Sequence, residues 1–396
     1  MPSPLRRLVG SVTALQKRHR ERHSPSGLGF AIAEHPAQLN PLHWQEVTAK
    51  SSVFLQLPYL TALADAPPEG VGIRVALIYR AGRPVAAVLG QRVDITGGRI
   101  GAKKGPLIKL RQRALVCGNL LSWGQHAVAF APGVDETGLW LGVGEALYRI
   151  RRAERLAGQT DFVLVKDLPD KRVPTDLATL GYKAFATDPD MVLEHGPKIT
   201  DFAGYLASMN AKYRKAAKDA IAEVAKAGAT VEVLTDVAAE AGRLHELYLQ
   251  VQARASVRLA TMDPGYLPGL QRELGPAGFR VVGVRRASTL IGFLSLIRDG
   301  DTAVAYLIGF GEEANAEMPL YFRLLYAGVE HGLLMGCRRL SLGRTALEAK
   351  AKLGAKPVAL HVAMRHRVTA ANALIHPLLR WVPHGEAPER SVFKEV

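Results

Sequence analysis

The sequence predicts a mixed α/β protein in which two similar units follow one another along the chain. The first observation is a pair of hairpin-like segments, residues 73–90 and 279–296, which carry arginine, valine, arginine and alanine at the same four positions. The second is that a long apolar stretch with helical spacing follows each segment, at residues 138–156 and 318–334. The third is that both halves then continue with a short strand and a helical segment ending in Leu-Gly. A repeated order of this kind indicates two copies of one unit, each a mostly antiparallel central sheet flanked by helices.

The boundaries of these units follow from the same repeat. The first copy is longer than the second between its hairpin and its long helix, which indicates an inserted loop. In chain order, the predicted segments are a basic extension at residues 1–44, the first unit at 45–195 with a basic insertion near 95–120, a basic amphipathic linking helix within 200–230, the second unit at 231–375, and a tail at 376–396.

Composition and charge limit the classes of function. The chain has 396 residues, 48% of them hydrophobic, with only two cysteines, so neither a disulfide framework nor a repeated Cys/His metal site is expected. We expect no metal and a reducing, cytoplasmic location. No apolar run approaches the length of a membrane-spanning helix. The net charge of +15 favours a phosphate-bearing partner: a nucleotide cofactor, an RNA or the anionic inner membrane surface, which the protein would contact peripherally.

The positive charge is concentrated in two clusters. No acidic residue lies between Asp94 and Asp135, a stretch that contains the predicted insertion. The second cluster, on the predicted linking helix, contains Lys212, Arg214 and Lys215. Such clusters can bind a nucleic acid by contacting the phosphates of its backbone. They can also simply keep a protein surface solvated. The sequence leaves both interpretations open.

One short stretch, residues 341–357, combines the end of a strand with unusual cations. The strand ends at Gly343, Arg344 follows directly, and Lys350 precedes a second glycine. Ligands of α/β sheets gather where strands end, so Arg344 is a candidate binding residue. The alternatives are a local ion pair between Arg344 and Glu348, four residues on, and a solvated Lys350 on a helix surface.

Three segments carry a resemblance to a known family. Residues 205–220, 318–333 and 340–357 resemble the GNAT acyltransferases, and the tandem arrangement resembles their FemAB-like branch. The tail at 388–394 also looks like the family's endings, and the resemblance covers roughly residues 45–375. It implies two tandem GNAT-like units that transfer an acyl or aminoacyl group from an activated donor to an amine-bearing acceptor. It further implies that Lys350 faces the acyl-transfer cleft.

The donor stays open at this point. GNAT enzymes that use acyl-CoA carry a glycine-rich loop before the buried helix, whose amides bind the pyrophosphate. The corresponding loop, residues 309–319, keeps two glycines but also contains Glu312, Glu313 and Glu317, which would repel phosphates. FemAB-like enzymes often use aminoacyl-tRNA instead. Acyl-CoA, aminoacyl-tRNA and a carrier protein are therefore all candidate co-substrates.

Acyl transfer to an amine requires a base, a group that stabilises the carbonyl oxygen, and an acid for the leaving group. Tyr306 and Tyr321 are both candidate proton donors. We expect Lys350 to stabilise negative charge, Glu312 to act as base and Tyr306 to act as acid; the predicted substrate-binding residues are Arg344, Lys212, Arg214, Lys215 and Tyr321.

A second class of function competes with the enzyme. The chain could be a catalytically idle basic module that binds RNA or the anionic inner membrane surface. Convergence of Lys350, Arg344 and the 212–218 flank on one cleft would favour the enzyme, whereas dispersal over an exposed face would favour the module. The sequence specifies neither the acceptor nor the oligomeric state.

Overall fold

A computed structural model describes residues 24–99, 111–169, 173–255, 257–373, 388 and 390–394. The strands of these residues join in one continuous sheet. They are β1 (Gly29–Ala33), β2 (Val71–Arg80), β3 (Arg83–Thr96), β4 (Arg111–Cys117), β5 (Val128–Phe130), β6 (Phe162–Leu168), β7 (Lys183–Glu194), β8 (Ala229–Val233), β9 (Phe279–Arg286), β10 (Thr289–Asp299), β11 (Thr302–Phe310), β12 (Arg339–Ser341) and β13 (Lys356–His366).

Helices cover both faces of this sheet. The α-helices of the described residues are α1 (Pro41–Thr48), α2 (Leu57–Asp65), α3 (Leu139–Ala153), α4 (Thr175–Thr179), α5 (Phe202–Ser208), α6 (Ala211–Lys226), α7 (Ala241–Ala253), α8 (Tyr266–Gly278), α9 (Glu312–Glu317), α10 (Leu320–Leu334) and α11 (Leu347–Ala351). Short 3-10 turns lie at Pro36–Gln38, Val53–Leu55 and Glu154–Ala157.

The strand order confirms the predicted fold class of two tandem mixed α/β units. The sheet runs β1-β2-β3-β4-β6-β13-β7-β12-β11-β10-β9-β8, with β5 pairing on the side with β3. Each half contains an antiparallel meander followed by one parallel pair, β4 with β6 and β11 with β12. The order therefore repeats from the two ends toward a pseudo-two-fold axis between β13 and β7.

The last strand of each unit is exchanged with the other unit. β7, which closes the first unit in sequence, pairs with β12 of the second unit, and β13 pairs with β6 of the first. β7 and β13 also pair with one another at the centre. The sequence pattern did not predict this exchange, because both strands have the same place in their repeats and the same apolar character.

The predicted linking helix within 200–230 is two helices, α5 and α6, so that prediction was wrong in detail. The chain between them is extended at Met209, which is fully buried and forms a β-bridge with Phe393 of the tail. Asn210 donates its side-chain amide to the carbonyls of Ser391 and Phe393. The packed tail therefore interrupts a segment whose own periodicity is helical throughout.

The predicted insertion near 95–120 also requires correction. Residues 97–110 join β3 to β4, whereas only residues 300–301 join β10 to β11. A second extension, residues 118–138, separates β4 from α3. Arg111 and Arg113 lie on the core strand β4 rather than on a loop. Lys103, Lys104 and Lys109 lie outside the described residues.

Three hydrophobic cores hold the sheet and its helices together. One lies on the face covered by α1, α2, α7 and α8 and is continuous across both units. The opposite face carries two separate cores, one under α3 in the first unit and one under α10 and α6 in the second. The shared core fixes the two units relative to one another, and it places the ends of β6 and β12 close together.

Candidate functional site

The sheet opens at the same point in both units. β11 pairs with β12 only from Thr302–Val304 to Arg339–Ser341, and β11 then continues to Phe310 paired with β10 on its other side. β4 and β6 likewise pair only over a short stretch. Backbone groups and side chains at such diverging strand ends are accessible to a ligand. Residues from both openings meet around Gly343.

A glycine is required at position 343, both because of its backbone conformation and because the ring of Trp123 lies close to it. Its φ is +79°, and a Cβ at this position would lie 3.1 Å from the ring of Trp123. The indole Nε1 of Trp123 donates to Ser341 Oγ at 2.6 Å, and that hydroxyl donates to Asp190 Oδ2 at 2.7 Å. The Gly343 amide donates to Asp190 Oδ1 at 2.9 Å. The glycine thus brings the extension of the first unit against the end of β12.

Lys350 lies in this region and is buried, which excludes the solvated surface position considered from the sequence. Its exposed fraction is 4%, and burial lowers the pKa of its amine to about 8, an effect that Asp190 opposes. Burial also raises the pKa of Asp190. Within the described part of the chain, the ammonium of Lys350 forms neither a hydrogen bond nor an ion pair. This amine is therefore available to an oxygen atom of a ligand.

Arg344 pairs with the first unit rather than with Glu348. Its guanidinium contacts Asp167, which is fully buried at the end of β6, and Glu348 pairs with Arg390 of the tail instead. Lys166 contacts the same carboxylate and donates to the carbonyl of Ser122 at 2.6 Å. Burial lowers the pKa of Arg344 to about 10. Burial, together with the charge of Arg344, lowers the pKa of Lys166 well below its usual value.

Lys166 and Asp167 were missed in the sequence analysis, although a signal for them exists. They end β6 in the first unit just as Gly343 and Arg344 follow β12 in the second. Asp167 also has a φ of +60°, which is unusual for a residue other than glycine. Comparison of the two repeats at this position would have indicated them.

Tyr306 lies in the shared core, in a triangle of phenols. Its hydroxyl is 2.9 Å from that of Tyr59 and 2.8 Å from that of Tyr266, and the latter two are 2.8 Å apart. Asn119 donates to Tyr59 as well. Burial raises the pKa of Tyr306 well above its usual value, so the phenol stays protonated at neutral pH. Trp123 lies beside it at a centroid distance of 6.5 Å, which links the triangle to the Gly343 region.

Glu312 lies on the outside of the second unit, at the start of α9. It accepts a hydrogen bond from Arg254 Nε at 2.6 Å, and this contact lowers the pKa of its carboxyl. It borders a cavity of about 600 Å³ together with Arg243 and Arg286. A base for an amine should have a raised pKa, so this environment does not favour the predicted role of Glu312.

Tyr321 lies in the first turn of α10. Burial raises the pKa of its phenol to about 12, and its ring packs against Phe310 at a centroid distance of 5.6 Å. These contacts are those of a packing residue at the edge of the second core. The predicted role of Tyr321 in binding substrate stays a prediction.

The start of α10 is less open to the pyrophosphate of acyl-CoA than a free helix N-terminus would be. The amide of Leu320 donates to the carbonyl of Met318 at 2.7 Å, and the amide of Tyr321 donates to Asn315 Oδ1 at 2.9 Å. Two of the first-turn amides of α10 that would face a phosphate are therefore already hydrogen-bonded. The short helix α9, with Glu312 and Glu313 in its first turn, replaces an open loop and adds negative charge.

Of the predicted basic trio, Lys212 lines a groove. This groove has a volume of about 540 Å³ and lies between α6 and the start of α10. Lys215 is paired with Asp219 at 2.6 Å, and Arg214 donates to the carbonyl of Met209 at 3.3 Å. The other lining residues are Tyr213, Ala216, Asp219, Ala220, Glu223, Pro319, Phe322, Tyr326, Lys352 and Arg390.

Neither a metal site nor a membrane span is present in the described residues. They contain no group of three or more His, Cys, Asp and Glu side chains arranged to hold a metal ion. None of their helices has the length and apolar character needed to cross a membrane.

Comparison with known proteins bears on the fold. Residues 211–351 match the acetyltransferase (GNAT) domain family. This part of the chain is similar to GNAT domains. It contains α6, the meander of the second unit, α10 and the Gly343 region, so the Arg344 and Lys350 side chains belong to it. The predicted resemblance to GNAT acyltransferases is confirmed.

Solved structures are similar to this chain over most of its length. The structure of FemX is 12% identical with a TM-score of 0.52, covering 85% of this chain and 98% of FemX. A tandem GNAT protein from the clavulanic acid biosynthesis pathway is 13% identical, with coverages of 86% and 98% and a TM-score of 0.49. The C-terminal domain of a putative lysylphosphatidylglycerol synthetase from Agrobacterium fabrum is 14% identical, with coverages of 86% and 96% and a TM-score of 0.48. A search of curated proteins finds no match. The FemX comparison fits the tandem, FemAB-like arrangement seen in the strand order.

Proposed function

We propose that the protein transfers an acyl or aminoacyl group from an activated donor to the amine of an acceptor. The observation that carries this proposal is the convergence of Arg344, Lys350 and Lys166 at the end of β12, inside the GNAT domain and at the point where β11 and β12 separate. Buried cations at a strand opening suit a reaction in which negative charge develops on a carbonyl oxygen.

The residues present can perform distinct parts of this reaction. The acceptor amine attacks the carbonyl carbon of an ester or thioester, the carbonyl oxygen gains negative charge, and an alcohol or thiol leaves with a proton. Lys350, with a pKa of about 8, is mainly cationic at neutral pH and can stabilise that oxygen or an anionic group of the acceptor. Arg344 Nε is buried and lacks a hydrogen-bond acceptor among the described residues, so it offers a second donor.

Tyr306 supplies a phenol beside Trp123, which itself contacts Ser341 in this region. Its proton lies within the hydroxyl triangle with Tyr59 and Tyr266, through which a proton could be replaced after donation. We assign it as the candidate acid on that basis. The base is left unassigned, because the environment of Glu312 favours its ionised, paired form.

The geometry of α10 bears on the donor. Because the amides of Leu320 and Tyr321 are already hydrogen-bonded, we favour aminoacyl-tRNA or a carrier-bound acyl group over acyl-CoA. The groove beside Lys212 supports this choice. Lys352 and Arg390 provide positive charge there, and Phe322 and Tyr326 provide aromatic surface for a base or an aromatic group.

The proposal is tested by offering acyl-CoA, aminoacyl-tRNA and acyl-carrier donors with a set of amine acceptors and identifying the product by mass spectrometry. We expect turnover with one donor class, and a loss on the order of 100-fold in Arg344→Met, since one electrostatic stabiliser is removed. Arg338→Met is the matched control, because Arg338 lies just before β12 and is largely exposed. If the Arg344→Met variant folds normally and turns over at the parent rate, the role assigned to Arg344 is contradicted. Tight binding of RNA without turnover of any donor would support the non-catalytic module instead.

A further inference from the structure

A small, strongly basic cavity lies in the first unit, away from the Gly343 region. Its volume is about 270 Å³, below the range of pockets that hold drug-sized ligands. It lies where α3 ends and where the chain leaves β13. The lining residues are Tyr148, Arg151, Arg152, Arg155, Gln159, Thr160 and Arg367.

The charge of these arginines is largely uncompensated. Arg367 Nε pairs with Asp161 at 2.9 Å. In the described part of the chain, Arg151, Arg152 and Arg155 have no carboxylate partner. The nearby carboxylate of Glu154 is directed away, toward Arg74, at 2.5 Å. Several guanidinium groups without counter-charge around one cavity form a site for an anion.

Tyr148 orients two of the guanidinium groups. Arg151 lies over the ring of Tyr148 at 5.4 Å from its centroid, and Arg152 Nη1 is 3.2 Å from the phenol oxygen. Both side chains are thereby held at one wall of the cavity. An arginine restrained in this way loses less conformational freedom when it binds a ligand.

Thr160 provides an independent indication of a ligand. Its exposed fraction is 1%, and its Oγ1 has no hydrogen-bond partner among the described residues. A buried hydroxyl without a partner is unfavourable, and such groups call for an explanation. A phosphate oxygen in the cavity would accept a hydrogen bond from this hydroxyl.

A simpler explanation accounts for only part of the cluster. Basic residues in the last turn of a helix interact favourably with the helix dipole, which applies to Arg151 and Arg152 in α3. It does not apply to Arg367, which follows β13, nor to the buried hydroxyl of Thr160.

We propose that this cavity binds a single phosphate group, carried by a small phosphorylated molecule or by a phospholipid headgroup. Guanidinium groups bind phosphate oxygens through paired, charge-assisted hydrogen bonds, and the cavity is too small for a larger ligand to enter whole. The fully exposed Leu156, next to Arg155, would contact the lipid in the second case. This inference does not depend on acyl transfer, because it concerns binding in the first unit.

The test measures binding to the full chain. Glycerol 1-phosphate is titrated by calorimetry, and vesicles of phosphatidylcholine, with and without phosphatidylglycerol, are used in sedimentation. The variants are Arg151→Gln with Arg155→Gln, and Thr160→Val. The control, Arg83→Gln with Lys226→Gln, removes the same charge from two exposed positions elsewhere.

We expect saturable binding in at least one arm, weakened about tenfold or more in the arginine variant and unchanged in the control. Binding of glycerol 1-phosphate identifies a soluble ligand, and binding of phosphatidylglycerol vesicles alone identifies a headgroup. Thr160→Val should weaken binding while unfolding at the same or higher urea concentration, because it removes an unpaired hydroxyl. Absence of binding in both arms, equal weakening in the control, or unchanged binding in Thr160→Val would overturn the proposal.

Discussion

Lys350 contributes a buried charge to the candidate site, and among the described residues its amine has no hydrogen-bond partner. Its pKa of about 8 lies below the usual 10.5, so the unfolded chain binds more protons than the folded chain between these two values. The free energy of unfolding should therefore rise as pH increases from about 8 to about 10.5. Below this window the buried charge lowers stability by an amount on the order of 3 kcal/mol.

Lys350→Met tests both the stability and the proposed role. We expect the variant to lose activity on the order of 100-fold and to lose the part of the rise in stability above pH 8 that comes from Lys350. At neutral pH it should be at least as stable as the parent, because the desolvated charge is gone. Urea unfolding at pH 7 and pH 10 measures the second effect.

The pH dependence of activity separates a required cation from a packing residue. Activity of the parent should fall as pH rises through about 8, where Lys350 loses its proton. Lys350→Arg keeps the charge and should move this fall to higher pH. Parent-like turnover in Lys350→Met, or the same pH profile in Lys350→Arg, would remove Lys350 from the mechanism.

At the residue scale, the sequence predicted which residues lie at the candidate site better than it predicted what those residues contact. Gly343 as a strand end and Arg344 as a strand-end cation follow from local pattern alone. The partner of Arg344 does not, because Asp167 reaches it through the tertiary packing of the two units. A local ion pair with Glu348 was the only partner that sequence spacing could suggest.

At the scale of elements, two segments lie next to the candidate site and the start of α10. Residues 118–138 bring Trp123 to Ser341, and α9 replaces the loop that would otherwise bind a pyrophosphate. Strands and long helices were predictable because their apolar periodicity is strong. The break between α5 and α6 was not, because it depends on Val392 and Phe393 of the tail.

The groove beside α6 leads to a prediction about how the basic residues of α6 bind tRNA. Lys212→Gln with Lys352→Gln should weaken binding of tRNA and reduce the slope of log affinity against log salt by about 1 to 2, since two phosphate contacts are lost. Replacing Arg214 and Lys215 should have less effect, because these side chains already contact Met209 and Asp219. Filter binding at several salt concentrations provides the measurement. The control is again Arg83→Gln with Lys226→Gln, and an equal change in slope there would show a general effect of charge.

At the scale of the whole molecule, the exchange of β7 and β13 makes each unit depend on the other. Met191 and Leu193 of β7 come from the first unit in sequence, yet they pack in the core of the second. Tandem repeats are visible in a sequence, but an exchange between them is not, because equivalent strands fit equivalent positions. The shared core under α2 and α8 adds a second connection between the units.

The exchange leads to a prediction about cooperativity. Leu193 is fully buried and pairs with Leu340 on β12, so Leu193→Ala should lower the free energy of unfolding by about 2–5 kcal/mol. If the sheet unfolds as one unit, amide hydrogen exchange in β2 and β3 should accelerate as much as exchange in β10 and β11. Leu334→Ala, at an exposed end of α10, serves as the control and should leave both regions unchanged. Faster hydrogen exchange in β10 and β11 alone would show that the units unfold separately. Faster hydrogen exchange in β2 and β3 alone would show that β7 belongs to the core of the first unit in solution.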